Sequence, residues 1–366
     1  MGMSKKRIGI LTGGGDCPGL NAVIRGVTKT AVVRYGMEVI GFQDGFLGLI
    51  ENRFSFLTFE NVSGILTQGG TILGSSNKAN PFAHILMENG QPVVKDLSDE
   101  SMDLYNDLGL DALIAVGGDG TMTIAGMLAD KGANVVGVPK TIDKDLMETD
   151  STFGFDTARA IATEAIDRLH STAQSHHRVM LVEVMGRNAG WLALESGIAG
   201  GGDIILLPEI PYDVNEIIKV VRQRSRFGKR FSIVVVSEGA RPRGGEQVVH
   251  KVVEDSPEKV RLGGVSHQIA QQIEGGTDIE CRVAILGHLQ RGGTPTAMDR
   301  LLATQFAVSA MELVEKRDFN KMVALKGNEI VPVPLEKVMG RQKLVPRDSG
   351  LIHAAISVGT SFGVDL

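Results

Sequence analysis

What most restricts the fold of this chain is a repeated alternation. Short β-branched apolar runs are each followed by glycines or a polar turn, and then by an amphipathic stretch of helical period. The clearest runs are Arg7–Leu11, Glu38–Phe42, Ala112–Val116, Val135–Val138, Val179–Glu183, Ile204–Leu207, Ile233–Val236 and Val283–Leu286. Helical stretches between them include Leu20–Val33, Thr157–Thr172, Val214–Arg224 and Leu301–Glu315. Strand and helix in alternation predict mainly parallel sheets covered on both faces. Ligands of such sheets bind beyond the carboxyl ends of the strands. This chain keeps its glycines and acids there. At 366 residues it is too long for one small core, so two lobes are expected.

Composition matters mainly for what it excludes. The 46 glycines fall in short clusters, without the period of collagen or the tract of a linker. A net charge of −5 argues against a nucleic-acid partner. Two cysteines, Cys17 and Cys281, supply neither a disulfide framework nor a Cys-rich zinc site. The first eleven residues suit a strand better than a signal peptide, and no apolar run is long enough to span a membrane. A cytoplasmic protein is therefore expected. The polar segment Gly239–Gly264, with its RPRGGEQ run, reads as a solvated surface excursion rather than a basic binding patch.

Three strand-end segments carry chemistry. Leu11-Thr-Gly-Gly-Gly-Asp-Cys-Pro-Gly-Leu-Asn21 follows a strand and opens a helix, so backbone amides and a helix N-terminus are available to phosphate. Its spacing matches neither GxGxxG with the usual acid nor GxxxxGK[ST], and glycine used only for tight packing is an equal alternative. Gly117-Gly-Asp-Gly-Thr121 repeats the strand, turn and helix arrangement, with Asp119 beside any bound polyphosphate and its Mg²⁺. Taken alone, that motif also suits NAD kinases, diacylglycerol kinases or a structural turn. In Pro139-Lys-Thr-Ile-Asp-Lys-Asp145, a carboxylate could accept the proton of a sugar hydroxyl attacking the γ-phosphorus. The alternative is an acidic surface loop. Arg178, Met185-Gly-Arg187, Glu238, Arg282 and Gly287-His-Leu-Gln-Arg-Gly-Gly293 then place arginines at strand ends, where planar forks suit a sugar phosphate.

TGGGDCPGLNAVIRG, GGTILGSS, GGDGT, PKTIDKD, MGRNAGW and GHLQRGGTPTAMDR, in that order, resemble the signature set of the 6-phosphofructokinase family from about Arg7 to Ala310. The resemblance implies two Rossmann-like lobes of discontinuous sequence: residues 1–155 with 290–340 for the phosphate donor, and 156–289 with 341–366 for the sugar phosphate. It implies phosphorylation of fructose 6-phosphate at the 1-hydroxyl by MgATP, in glycolysis. Asp143 would be the catalytic base, with Thr141 beside it and Arg187 on the transferring phosphoryl. Asp119 would help hold Mg²⁺, and Gly15, Asn77, Lys78 and Gly118, Asp119, Gly120 and Thr121 would line the nucleotide site. Thr141, Ile142, Asp143, Met185, Gly186, Arg187, Glu238, His288, Leu289, Gln290 and Arg291 would hold the sugar phosphate. Arg178 and Arg282 would come from a neighbouring subunit of a homotetramer or homodimer.

Several positions depart from the family pattern. Asn77 and Lys78 stand where many bacterial relatives place an arginine, and Lys144 separates the two acids. At positions resembling activator-site cations, Arg25 matches, whereas Phe59, His170 and Phe227 do not. Pyrophosphate-dependent members typically read GGDD with PKTID, and familiar bacterial ATP-dependent members GGDG with GTID. This chain combines Gly120 with Lys140. Gly120 removes a carboxylate that would press on the α-phosphate, so ATP is expected as donor, with pyrophosphate the alternative. A non-catalytic sugar-phosphate sensor is disfavoured by the presence of both Asp119 and Asp143, and an NAD-linked oxidoreductase by the missing fingerprint.

Overall fold

The structure, a computed structural model, describes residues 5–88, 91–226, 228, 230–253 and 260–365. Among these, eight strands form a first sheet. Its spatial order is Glu329–Pro334, Lys321–Lys326, Val135–Thr141, Ala112–Gly117, Arg7–Thr12, Glu38–Phe42 and Phe54–Leu57, with Phe153–Gly154 paired to Val135–Thr141. A second sheet of four parallel strands runs Ile204–Leu206, Ser232–Ser237, Val179–Val184 and Cys281–Ile285. The antiparallel pairs of the first sheet lie at its two edges.

The central strands Ala112–Gly117, Val135–Thr141, Val179–Val184 and Ser232–Ser237 are buried along their whole length, as continuous apolar runs covered on both faces must be. Helices Leu20–Tyr35 and Ala297–Lys316 pack side by side on the first sheet. The strand expected to stop at Val138 runs on to Thr141, because Lys140 and Thr141 pair with Phe153 and Gly154. Two polar residues are thus drawn into the sheet by a partner strand, which a hydrophobic pattern does not register. Among the described residues, no helix is long and apolar enough to cross a membrane.

The excursion at Gly239–Gly264, of which 254–259 lie outside the described residues, behaves in two ways. Arg241, Arg243 and Glu246 of the RPRGGEQ run are exposed, as expected. Beyond them, Val249–Val252 pairs antiparallel with Val260–Leu262, and this hairpin reaches back to a cleft between the sheets.

Candidate active site

A cleft of about 1200 Å³ lies at the carboxyl ends of the strands. From the first sheet it is lined by Gly14, Gly15 and Asp16, by the turn and first residues of helix Asp119–Asp130, and by Lys140, Thr141, Asp143 and Asp145. Asn77 and Lys78 close one side. From the second sheet come Met185, Arg187, Glu238, His288 and Arg291.

The first glycine loop is less open than its sequence suggests. The amides of Gly13 and Gly14 already donate to the carbonyls of Val116 and Ser76, at 2.8 and 3.0 Å. Its helix begins only at Leu20, and residues 17–21 do not line the cleft. Gly15 is held between two cations: Lys140 Nζ donates to its carbonyl, and Arg291 donates to the next carbonyl, of Asp16, at 3.0 Å. A Cβ at Gly15 would stand 2.7 Å from the Arg291 guanidinium, so glycine is required for that approach.

The second turn does place a helix N-terminus on the cleft. Gly118 precedes helix Asp119–Asp130, and Gly118, Asp119, Gly120 and Thr121 all line the cavity. Nothing lies within 4 Å of where a Cβ on Gly120 would be, so a side chain there would enter open cleft. Burial pushes the Asp119 carboxyl up from its ordinary range, against the opposing effect of the Gly340 amide 2.9 Å away.

At the third strand end the Asp143 amide donates to Thr141 Oγ1 at 3.0 Å. Asp145, two residues on, is pushed up by burial first and by the charges of Asp143 and Asp119 after it. Burial, and then Asp143, raise Glu238 to about 7. Carboxylates from both sheets therefore oppose one another across the cleft. Lys144 does not relieve them: at φ 54 its chain turns away, its Nζ pairs with Glu195 at 2.7 Å and lies over the Phe155 and Trp191 rings. Lys140 is 3% exposed, and burial lowers its pKa.

Among the described residues no three His, Cys, Asp or Glu gather to hold a metal unaided. Mg²⁺ commonly takes one or two carboxylates and completes its shell with phosphates and water. The mutual repulsion of half-buried acids here suits such a cation, and Asp119 stands at the helix N-terminus on the cleft.

Other expected site residues stand behind the cleft or outside it. Ile142 is fully buried. Gly186, at φ 135, lets the chain turn between Met185 and Arg187, and a Cβ there would meet Ser237 Oγ at 2.6 Å. Gln290 is buried and accepts from the Met185 amide at 3.4 Å, while Leu289 is 70% exposed. Arg178 and Arg282 do not line the cleft; both pair with Glu280 on neighbouring strand ends. Of the activator-like positions, Phe59 lies under Lys29 Nζ at 3.8 Å, His170 Nε2 meets the Gly200 carbonyl at 2.6 Å, and Phe227 lies outside the described residues. Sequence reasoning missed His250, Arg261, Asn188 and Gln342 on the cleft wall. A basic residue in each hairpin strand was the only local signal for the first two.

Comparison with known proteins identifies the family. The family model described as Phosphofructokinase matches residues 7–314. The chain is 56% identical over 359 residues to ATP-dependent 6-phosphofructokinase 2 of Clostridium perfringens, covering 98% of each. It is 51% identical to the ATP-dependent 6-phosphofructokinase of Spirochaeta thermophila, again covering 98% of each. Among solved structures, Pichia pastoris phosphofructokinase in the T-state superposes with a TM-score of 0.78 at 31% identity. That match covers 98% of this chain and 37% of the longer yeast polypeptide.

Proposed function

Because this chain belongs to the phosphofructokinase family, we propose that it phosphorylates fructose 6-phosphate at the 1-hydroxyl to fructose 1,6-bisphosphate, with MgATP as donor, in glycolysis. One observation carries the reading: a single cleft brings together a helix N-terminal glycine turn, Asp143, Arg187 and Arg291 from two sheets. The donor lobe comprises residues 1–155 with 290–340, and the sugar-phosphate lobe 156–289 with 341–366. In support, the first sheet takes its strands from 7–154 and 321–334, and the second from 179–285.

The nucleotide lies against Gly15, Asn77, Lys78 and Gly118–Thr121, with phosphates at the positive end of helix Asp119–Asp130. Mg²⁺ on Asp119 would neutralise charge on the phosphoryl being transferred. Asp143, oriented by Thr141, accepts the proton of the 1-hydroxyl as that oxygen bonds to the γ-phosphorus and the bond to the β-phosphate oxygen breaks. Arg187 stabilises the developing charge. Met185, Glu238, His288 and Arg291 contact the sugar phosphate, and Ile142, Gly186 and Gln290 hold that wall in place from behind; Leu289 belongs to the same turn. Arg178 and Arg282 reach the sugar phosphate of a neighbouring subunit in a homotetramer or homodimer, a role consistent with their distance from their own cleft.

Pyrophosphate as donor draws least support from Lys140. Its ammonium already donates to the Gly15 carbonyl, while Gly120 leaves room for the rest of a nucleotide. Initial rates with fructose 6-phosphate and either MgATP or magnesium pyrophosphate test the reading directly. Faster turnover with pyrophosphate at saturating sugar phosphate would reverse the assignment of donor.

A further inference from the structure

We infer that Gln342 is a positioning residue that spans the cleft and sets the distance between the base and the arginine that act on one phosphoryl group. The inference rests on the function proposed above. Residues 340–345, of which Gln342 lines the cleft, are hydrogen-bonded to segments that follow strands of both sheets. On the donor side, the Gly340 amide donates to Asp119 Oδ1 at 2.9 Å, the Lys343 amide to the Asp145 carbonyl at 2.7 Å, and Gln342 forms an antiparallel bridge with Leu146. On the sugar-phosphate side, Trp191 Nε1 donates to the Lys343 carbonyl at 2.8 Å and the Val345 amide to Glu209 at 2.9 Å. The main chain is therefore docked on both sides without help from the Gln342 side chain.

That side chain makes a separate bridge. Its Nε2 donates to Asp145 Oδ2 at 3.3 Å, and its Oε1 accepts from Asn188 Nδ2 at 3.0 Å. With Asp145 accepting and the Asn188 nitrogen donating, this orientation of the amide satisfies both ends. Asp145 is two residues from the base Asp143, and Asn188 adjoins Arg187. One amide thus ties the segment carrying the base to the segment carrying the arginine. Small misplacements of reacting groups cost rate far more than they cost binding.

Gln342→Met keeps length and volume while removing both hydrogen bonds. It is expected to lower kcat about fivefold to twentyfold, with KM for fructose 6-phosphate and for ATP within about twofold. Asn188→Ala, which breaks the bridge from the other end, is expected to lower kcat similarly. The double variant should be little worse than either single one, because the second change removes a bridge already broken. Trp191, the only tryptophan in the chain, reports whether the main chain stays docked, and its emission should be unchanged in both variants. Wild-type kcat in Gln342→Met, independent effects that multiply, or a red-shifted emission accompanying the loss would each overturn the inference. If Gln342→Met does not fold, Asn188→Ala decides alone: unchanged kcat overturns it. A wild-type protein without activity on fructose 6-phosphate and MgATP would instead defeat the proposed function, so the two failures are distinguishable.

Discussion

Asp143 and Glu238 interact across the cleft from different sheets, and single residues matter most there. General-base assistance acts in the transition state and is worth about a hundredfold to ten-thousandfold in rate. Asp143→Ala is therefore expected to abolish most turnover while sugar-phosphate affinity stays within about tenfold. A purified variant with the parent kcat would remove Asp143 from its role. Glu238 offers a test without catalysis. Its carboxyl titrates near 7 in the folded protein, against 4.5 as its ordinary value, mainly because burial disfavours the charge. The unfolded chain then holds fewer protons than the native one between those limits, so stability falls as pH rises from about 4.5 to about 7. Glu238→Gln removes that dependence. Its melting temperature relative to the parent should rise between pH 5 and pH 8, and a difference constant with pH would contradict the argument.

At the scale of elements, function depends on how three strand ends are finished. The turn before helix Asp119–Asp130 presents a helix N-terminus to the cleft, whereas the loop before helix Leu20–Tyr35 spends its first amides within the fold. Donor choice should accordingly be made at Gly120. Gly120→Asp would put a carboxylate into open cleft, adding like-charge repulsion to a nucleotide's α-phosphate. A steep loss of kcat/KM for ATP is expected, with any pyrophosphate activity comparatively spared. Equal losses for both donors would show that the turn had been damaged instead of the selectivity changed.

At the scale of the whole molecule, Arg178 and Arg282 lie away from their own cleft and share Glu280. Such a pair serves the proposed reaction only if subunits exchange it. Mixing Arg178→Ala chains with Asp143→Ala chains should then rebuild some intact sites, and activity should exceed the mean of the two parents. Hybrids at or below that mean would argue against a shared site. The same experiment, followed by sedimentation, tests whether the assembly is a dimer or a tetramer.

The alternation of apolar runs and amphipathic stretches was enough to determine the α/β architecture, because period and turn chemistry are local properties. All eight expected strands and four expected helices are present, with ends moved by up to a few residues. The sequence also marked part of the cleft's lining, since glycines and acids at strand ends of one sheet are brought to the same edge by topology. Tertiary structure decided the rest. Lys140 lines the cleft yet also reaches back to the Gly15 carbonyl, and Lys144 leaves the two acids for Glu195. Gln342 meets Asp145 from 197 residues away, and Gly340 meets Asp119 from 221. Local pattern carries no trace of such meetings, because they are set by where a returning chain docks between two sheets.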